Sequence, residues 1–307
     1  GRVVSLLCMA LMELVLIAQF SKGGHLLSVA LGLPYTFGIA LVGGCLSAFA
    51  LLCNVRLVGV TNSVLTLGFM AAVGVLFVVG GPLAHWSRLG RADWSHWWDQ
   101  IPVFLQILVY LEVLPTVCGL LSFDRWRIRI WAFIGALWLL ILDLGWSALG
   151  LSLVPFTAAG GGHLIADPLT VLLGTGGAVA AVINILAACA IATTIIGTTL
   201  ALQTFFMDVC RDGRQHLAGP LCAFGTAVPM IVAATSPGIF FRAIGLSGSY
   251  PVTILWGCIP PLISLQFGLP QQSRLPRMKL ALVRCIFAIS VISVIGRALT
   301  DFLRAMR

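Results

Sequence analysis

Three carboxylic acids stand inside long apolar runs of this 307-residue chain, at Glu13, Glu112 and Asp143. An ionised carboxylate in the middle of a membrane costs several kcal/mol, so such a side chain faces a polar cavity or stays protonated. Either state suits a group that binds a proton or a cation. We therefore treat Glu13 and Glu112 as candidate proton-binding residues, and we expect Asp143 to make a structural hydrogen bond.

Glu112 has the most informative surroundings, because Pro115 follows it by three residues in the same apolar run. Proline lacks a backbone N–H and its ring clashes with the preceding turn, so the helix is predicted to open around residues 111–115. Opened backbone persists in a membrane only against protein or water. A carboxylate beside freed carbonyls would form a site for a substrate or a cation. The alternative is a proline kink in which a protonated Glu112 caps the backbone.

Further polar side chains lie in two other apolar runs. Gln19 follows Glu13 by six residues, about 9 Å along a helix but more than a right angle around it. Glu13 therefore lines a cavity or makes an interhelical hydrogen bond. Thr193 and Thr194 precede Gly197, which permits close helix approach, and their hydroxyls bond to their own backbone or contact a ligand at the centre of the bundle.

The cysteines and histidines form no motif for metal or disulfide chemistry. No pair of the nine cysteines has CxxC spacing, and the five histidines show neither HxxxH nor HExxH. The sequence thus predicts no metal site and no cofactor. A membrane-embedded enzyme would need clustered His, Asp or Cys side chains, and the sequence shows none.

The composition indicates that lipid is the solvent of this protein. Hydrophobic residues make up 60% of the chain and charged residues only 9%, whereas a soluble domain is about a quarter charged. The net charge of +8 does not indicate nucleic-acid binding, because the basic residues lie mostly in short gaps between apolar runs rather than in a patch.

The apolar runs predict nine transmembrane helices, since a bilayer core of about 30 Å needs roughly 20 residues of helix. The gaps carry turn chemistry, such as Gly23–Gly24 after the first run and Asn54 after the second. The basic residues are more numerous on the side where the chain begins, which predicts a cytoplasmic start. The predicted spans are 2–21, 35–53, 57–82, 102–122, 128–152, 178–208, 217–236, 249–268 and 280–303.

Four stretches resemble those of a known transporter family and occur in the same order. They are the fourth span, the segment at Asp167–Pro168, residues 190–197 and residues 236–243. Together they resemble the tyrosine/tryptophan permeases, the aromatic amino-acid permeases of the amino acid–polyamine–organocation superfamily. The plastid branch of plants and algae is the most similar, and the resemblance runs from the first span to the ninth.

This resemblance implies an all-α integral membrane fold of the leucine-transporter type, a five-plus-five inverted-repeat bundle. Such permeases have eleven spans, so the nine predicted here would be the third to the eleventh. Residues 1–307 are then expected to form a single transmembrane transporter domain that is incomplete at its N-terminus and lacks the first two helices.

The resemblance also implies roles for particular residues. Substrate would be bound by Tyr110, Glu112 and the backbone opened at Pro115, with Gln19, Thr193 and Thr194 lining the path. Glu112 and Glu13 would serve proton coupling. Leu111 stands where the family usually has His, and Glu112 replaces a small or amide residue, so these two exchanges bear on substrate choice and coupling. Thr193 and Thr194 match a Thr–Ser pair of the family.

The implied function is secondary active transport of aromatic amino acids, tyrosine or tryptophan, by proton symport, without enzymatic activity. The implied partners are the amino acid, a proton or other coupling cation, and the lipid bilayer of the plastid inner envelope or the plasma membrane. Two alternatives stay open: a degenerate or partial permease relative without transport activity, and a membrane-embedded enzyme.

Overall fold

Every regular element that the structure describes is a helix. A computed structural model describes residues 2–90, 97–106, 118, 121–153, 177–210, 215–267 and 276–306. In chain order the helices are α1 (Arg2–Leu31), α2 (Tyr35–Leu52), α3 (Val55–Gly80), α4 (Trp97–Leu105), α5 (Arg125–Leu153), α6 (Gly177–Val209), α7 (Ala218–Thr235), α8 (Phe240–Ser247), a π-helix (Gly248–Cys258), α9 (Ile259–Phe267) and α10 (Pro276–Ala305).

Eight helical stretches of the described residues are long and apolar enough to cross a membrane. The helices α8, π and α9 run on from one another and form one of these, the Phe240–Phe267 span. The prediction of an all-α multi-pass membrane protein is therefore confirmed. The predicted fourth span, 102–122, begins within α4, but most of it lies outside the described residues.

The first helix is longer than predicted, because Gly23 and Gly24 pack against neighbours and make no turn. A Cβ on Gly23 would lie 2.9 Å from Val42 Cγ1, and one on Gly24 would lie 2.9 Å from the backbone nitrogen of Ile39. These glycines let α2 approach α1 closely, and the helix continues to Leu31. The chain turns instead at Gly32, which has a φ of 65°.

The eighth predicted span, 249–268, is correct at its end but wrong at its start, since the observed span is Phe240–Phe267. A turn ends α7 at residues 236–239, where Gly238 has a φ of 82° that favours glycine. Small and polar residues lower the hydropathy of α8, which hid this part of the helix. The π-helix then follows over eleven residues and includes Pro251.

The prediction of a turn after the second span is confirmed. The side chain of Asn54 accepts a hydrogen bond of 2.7 Å from the backbone N–H of Leu57 and so caps the start of α3.

Four helices, α1, α2, α6 and α7, each contact the other three and form the central scaffold of the bundle. Their main core cluster includes Leu16, Phe20, Ile195 and Leu202, all fully buried. The hydroxyl of Tyr35 donates to the backbone oxygen of Ala233 at 3.1 Å, so one polar contact joins α2 to α7.

The helix lengths and contacts agree with the inverted repeat expected from the resemblance. The helices α1 and α6 have 30 and 33 residues, and α2 and α7 have 18 each. The remaining pair, α3 and the Phe240–Phe267 span, have 26 and 28. Just as α3 packs on α6, the Phe240–Phe267 span packs on α1. A repeat that relates the first three described spans to α6, α7 and Phe240–Phe267 explains both observations.

Polar side chains join the last helix, α10, to the π-helix. Tyr250 donates a 2.7 Å hydrogen bond to Asp301, which also forms an ion pair with Arg297 at 3.2 Å. A Cβ on Gly257 would overlap the Ser290 hydroxyl, so the two helices touch closely. None of the described residues in the apolar stretch of α10 is buried, so its other sides are exposed in the described structure.

Candidate functional site

The predicted binding residues Thr193 and Thr194 lie half-buried on α6 and line a cavity against α3. Each hydroxyl donates to the backbone oxygen of Ala190, at 3.0 and 2.8 Å. The cavity has a volume of about 200 Å³ and is also lined by Thr66 and Phe69. The structure thus shows the predicted bonds of these hydroxyls to their own backbone, and their role in ligand contact stays a prediction. A hydroxyl that donates to its own helix still offers its oxygen as an acceptor.

Close packing beside the cavity fixes the distance between α3 and α6, which form its two walls. A Cβ on Gly68 of α3 would lie 3.4 Å from the Cys189 sulfur of α6. The two helices run antiparallel, since Val58 shares a core cluster with Ile196, and Leu76 shares one with Ile183. The long α3–α6 contact thus holds Thr66 and Phe69 opposite the α6 hydroxyls.

Sequence reasoning missed Asn62, which lies one helical turn before Thr66 on α3. Its side-chain oxygen is buried and has no hydrogen-bond partner among the described residues. Its backbone oxygen accepts from the Thr66 hydroxyl at 2.8 Å. The single side-chain amide inside this predicted span is the signal that would have identified it.

The candidate carboxyl Glu13 lies on α1 where this helix meets α6 and α7. A Cβ on Gly225 of α7 would lie 3.4 Å from Glu13 Oε1, and 3.1 and 3.2 Å from Leu202 and Phe206 of α6. Both carboxylate oxygens are buried and have no hydrogen-bond partner among the described residues. The interhelical hydrogen bond that was one of the two arrangements predicted for Glu13 is therefore not formed with any described residue.

Two more polar groups lie where α6 and α7 pack together, near this carboxyl. The Cys222 thiol lies one turn before Gly225 and approaches the Thr199 backbone oxygen at 3.9 Å. Thr199 is fully buried, and its hydroxyl also lacks a partner among the described residues. We call Glu13, Thr199, Cys222 and Gly225 the junction pocket. Sequence reasoning missed Thr199 and Cys222, because nothing local in the sequence places α6 and α7 against Glu13.

The structure does not bring all of the predicted site residues together. Gln19 is half-buried on α1, and neither Gln19 nor Glu13 lines the Thr193–Thr194 cavity. Tyr110, Glu112 and Pro115 lie outside the described residues, so their predicted roles stay predictions.

The beginning of the fourth span is described, and it packs on the Phe240–Phe267 span. The Ser247 hydroxyl donates to Gln106 Oε1 at 2.7 Å. A Cβ on Gly248 would overlap the backbone oxygen of Pro102, so the two backbones are in contact. The segment that leads to Tyr110 and Glu112 is therefore positioned by the start of the π-helix.

The described side chains place polar groups at two positions in the bundle. The cavity offers hydroxyl oxygens and one aromatic ring, and the junction pocket offers a carboxyl, a hydroxyl and a thiol. Within the described ranges no three His, Cys, Asp or Glu side chains come together as metal ligands would.

Comparison with known proteins gives one match. The profile of the tryptophan/tyrosine permease family matches residues 1–299, which include every scaffold helix and both polar sites. Neither a curated protein nor a solved structure matches the chain. The match confirms the resemblance that the spans and short motifs indicated, and the chain belongs to the tryptophan/tyrosine permease family.

Proposed function

We propose that this protein carries an aromatic amino acid, tyrosine or tryptophan, across a membrane by proton-coupled secondary active transport. The observation that carries the proposal is the family match over residues 1–299 in a chain with eight described apolar spans. The paired hydroxyls beside Phe69 at the α3–α6 interface and the buried carboxyl of Glu13 give this function a physical basis.

The α3–α6 cavity forms part of the proposed substrate path. Its volume of about 200 Å³ is below the ~300–1,000 Å³ that is typical of small-molecule sites. It therefore holds one portion of a substrate, with Phe69 against the ring and Thr193 and Thr194 as hydrogen-bond acceptors. Tyr110 and the backbone opened near Pro115 supply the remaining contacts in this proposal, and Gln19 lines the path on α1.

Two carboxyls are the candidates for proton coupling. Glu112 has the proline beside it in the sequence, and Glu13 has a buried position without hydrogen bonds to the described residues. A carboxyl in an apolar environment binds a proton readily when no cation or donor compensates its charge. Symport would follow if proton binding and substrate binding favour the same conformation.

The alternative of a degenerate relative without transport activity rests on Leu111, which stands where the family usually has His. The alternative of an enzyme is disfavoured by the match to a permease family. For the membrane, the resemblance to the plastid branch favours the plastid inner envelope over the plasma membrane.

Uptake by the full-length protein in proteoliposomes tests the proposal. We expect labelled tryptophan or tyrosine to accumulate when an inward proton gradient is imposed, and to stop accumulating when a protonophore collapses it. Exchange without any gradient measures substrate binding separately from coupling. Absence of both accumulation and exchange would favour the inactive relative.

Replacing Glu112 by Gln tests its role in coupling, because glutamine keeps the shape and most of the hydrogen bonding but cannot titrate. We expect normal membrane insertion, loss of proton-driven accumulation, and exchange that is partly retained. If Glu112 is only a protonated cap of the backbone, Glu112→Gln accumulates substrate normally, whereas Glu112→Leu folds poorly because backbone groups lose their partner.

A further inference from the structure

We propose that Tyr250, held by Asp301 of α10, is a positioning residue for substrate binding. It fixes the place of the π-helix, and the π-helix in turn positions α4. The proposal deepens the proposed function and rests on it. It gives a role in substrate affinity to the last helix, which carries none of the predicted site residues.

A hydrogen bond to a charged acceptor joins the π-helix to α10. The Tyr250 hydroxyl donates to Asp301 Oδ2 at 2.7 Å, and Arg297 Nε lies 3.2 Å from Asp301 Oδ1. The side chains of Arg297 and Asp301 are 17% and 32% exposed. Hydrogen bonds to a charged group are stronger than neutral ones. The ion pair holds the carboxylate in place, so the Tyr250 hydroxyl has a fixed acceptor on α10.

The α10 helix contacts the π-helix near both of its ends. Asp301 meets Tyr250 near the start, and Ser290 meets Gly257 near the end, where a Cβ would overlap the Ser290 hydroxyl. The two helices therefore run antiparallel. The spacings of seven and four residues place Ser290, Arg297 and Asp301 on one face of α10. This face holds the π-helix along most of its eleven residues.

Side chains contribute to the hydrogen bonding within the π-helix itself. Pro251 has no backbone N–H, so one carbonyl of the preceding turn lacks its backbone donor. The Thr253 hydroxyl donates to the Gly248 backbone oxygen at 2.6 Å. A helix of this type is rare and is frequently found at functional sites. Its position is therefore expected to depend on the side chains that hold it, among them Tyr250.

The first turn of the π-helix is also the part that contacts α4. A Cβ on Gly248 would overlap the Pro102 backbone oxygen, and the Ser247 hydroxyl donates to Gln106 Oε1 at 2.7 Å. Tyr250 follows Gly248 by two residues. The hydrogen bond to α10 and the contacts with α4 thus lie within one turn, and a shift of this turn moves α4.

The π-helix packs against a second helix that carries a proposed site residue. Val252 and Leu255 share a core cluster with Leu11 and Val15 of α1, which lie two residues before and after Glu13. Displacement of the π-helix therefore acts on α1 as well as on α4, which leads to the proposed substrate contacts of the fourth span.

Tyr250→Phe in the full-length protein tests this role, because the change removes only the hydroxyl. In proteoliposomes we expect KM for labelled tryptophan to rise about fivefold, the size expected for one hydrogen bond. The maximal rate should change much less. Hydrogen–deuterium exchange should become faster in residues 97–106 of α4 and the residue after it, as well as in the π-helix.

Tyr35→Phe is the matched control, since it also removes a tyrosine hydroxyl that joins helices. Tyr35 shares a hydrogen bond with Ser21 of α1 and donates to the Ala233 backbone oxygen of α7. We expect a similar decrease in melting temperature, with KM and the exchange of residues 97–106 unchanged. A general loss of stability is thereby separated from a loss of positioning.

Changes at Asp301 test whether the effect passes through this one bond. Asp301→Ala should raise KM at least as much as Tyr250→Phe, and the double variant should raise it no further than Asp301→Ala alone. Asp301→Asn keeps a side-chain oxygen as acceptor for the Tyr250 hydroxyl. Its KM should therefore stay closer to that of the wild type than the KM of Asp301→Ala does.

An unchanged KM in Tyr250→Phe overturns the proposal, and so does an equal rise of KM in Tyr35→Phe or an additive effect in the double variant. If Tyr250→Phe does not fold, the comparison of Asp301→Asn with Asp301→Ala decides in the same way. A wild type that transports no aromatic amino acid contradicts the proposed function. Exchange in residues 97–106 then still shows whether Tyr250 positions α4.

Discussion

Gly38→Val is expected to prevent stable folding, because the backbones of α1 and α2 touch at this residue. A Cβ on Gly38 would lie 2.5 Å from the backbone oxygen of Gly24, a contact that a flexible side chain cannot relieve. Overpacking of this kind costs about 3 kcal/mol at its upper end. The measurement is the melting temperature of the detergent-solubilised protein, followed by size-exclusion chromatography after heating.

Gly44→Val provides the matched control on the same helix. A Cβ there meets nothing within 4 Å, so its melting temperature should stay close to that of the wild type. Equal loss of stability in both variants would show that valine harms α2 wherever it is placed, and that the Gly38–Gly24 contact has no special role.

Gly248→Val is expected to abolish most substrate transport while the protein still inserts into the membrane. A valine side chain at the start of the π-helix would overlap the backbone oxygen of Pro102 and displace α4. Since α4 leads into the segment with Tyr110 and Glu112, the proposed substrate contacts would move with it. We expect KM for uptake to rise about tenfold or more, which corresponds to a loss of about 1.4 kcal/mol in binding.

Gly245→Val is the corresponding control, because a Cβ at Gly245 meets nothing within 4 Å and the residue lies one turn earlier on α8. Its KM should not change. Normal uptake by Gly248→Val would mean that α4 is not positioned by this contact, whereas a collapsed melting temperature would mean that the contact serves folding instead.

Hydropathy predicted the spans well wherever a long apolar run ends at a charged or turn residue. The predicted limits 35–53 and 178–208 differ from Tyr35–Leu52 and Gly177–Val209 by one residue at most at each end. Glycine was the main source of error. Gly23 and Gly24 allow either a turn or a close helix contact, and only the position of α2 decides between the two.

The candidate sites were less predictable than the spans, for a physical reason. An acid such as Glu13 is visible in the sequence, but the helices that pack beside it lie about 190 and 210 residues further along the chain. Helical periodicity reports which face of a helix is apolar, and it does not report which helix covers that face. Thr199, Cys222 and Asn62 therefore became visible only through the packing.

The unequal lengths of the scaffold helices have a consequence for the surrounding lipid. The 18 residues of α2 and of α7 reach about 27 Å, slightly less than a hydrocarbon core of about 30 Å. The 30 residues of α1 and the 33 of α6 reach about 45 and 50 Å. Tilt alone does not absorb this excess, since spans lean by at most about 40°.

The long pair therefore extends beyond the hydrocarbon core, whereas the short pair just spans it. Lipid beside α2 and α7 is expected to be slightly thinner than lipid beside the longer spans. Any movement that changes the tilt of α1 or α6 changes this mismatch as well. The free-energy difference between two conformations of the protein is therefore expected to depend on the thickness of the bilayer.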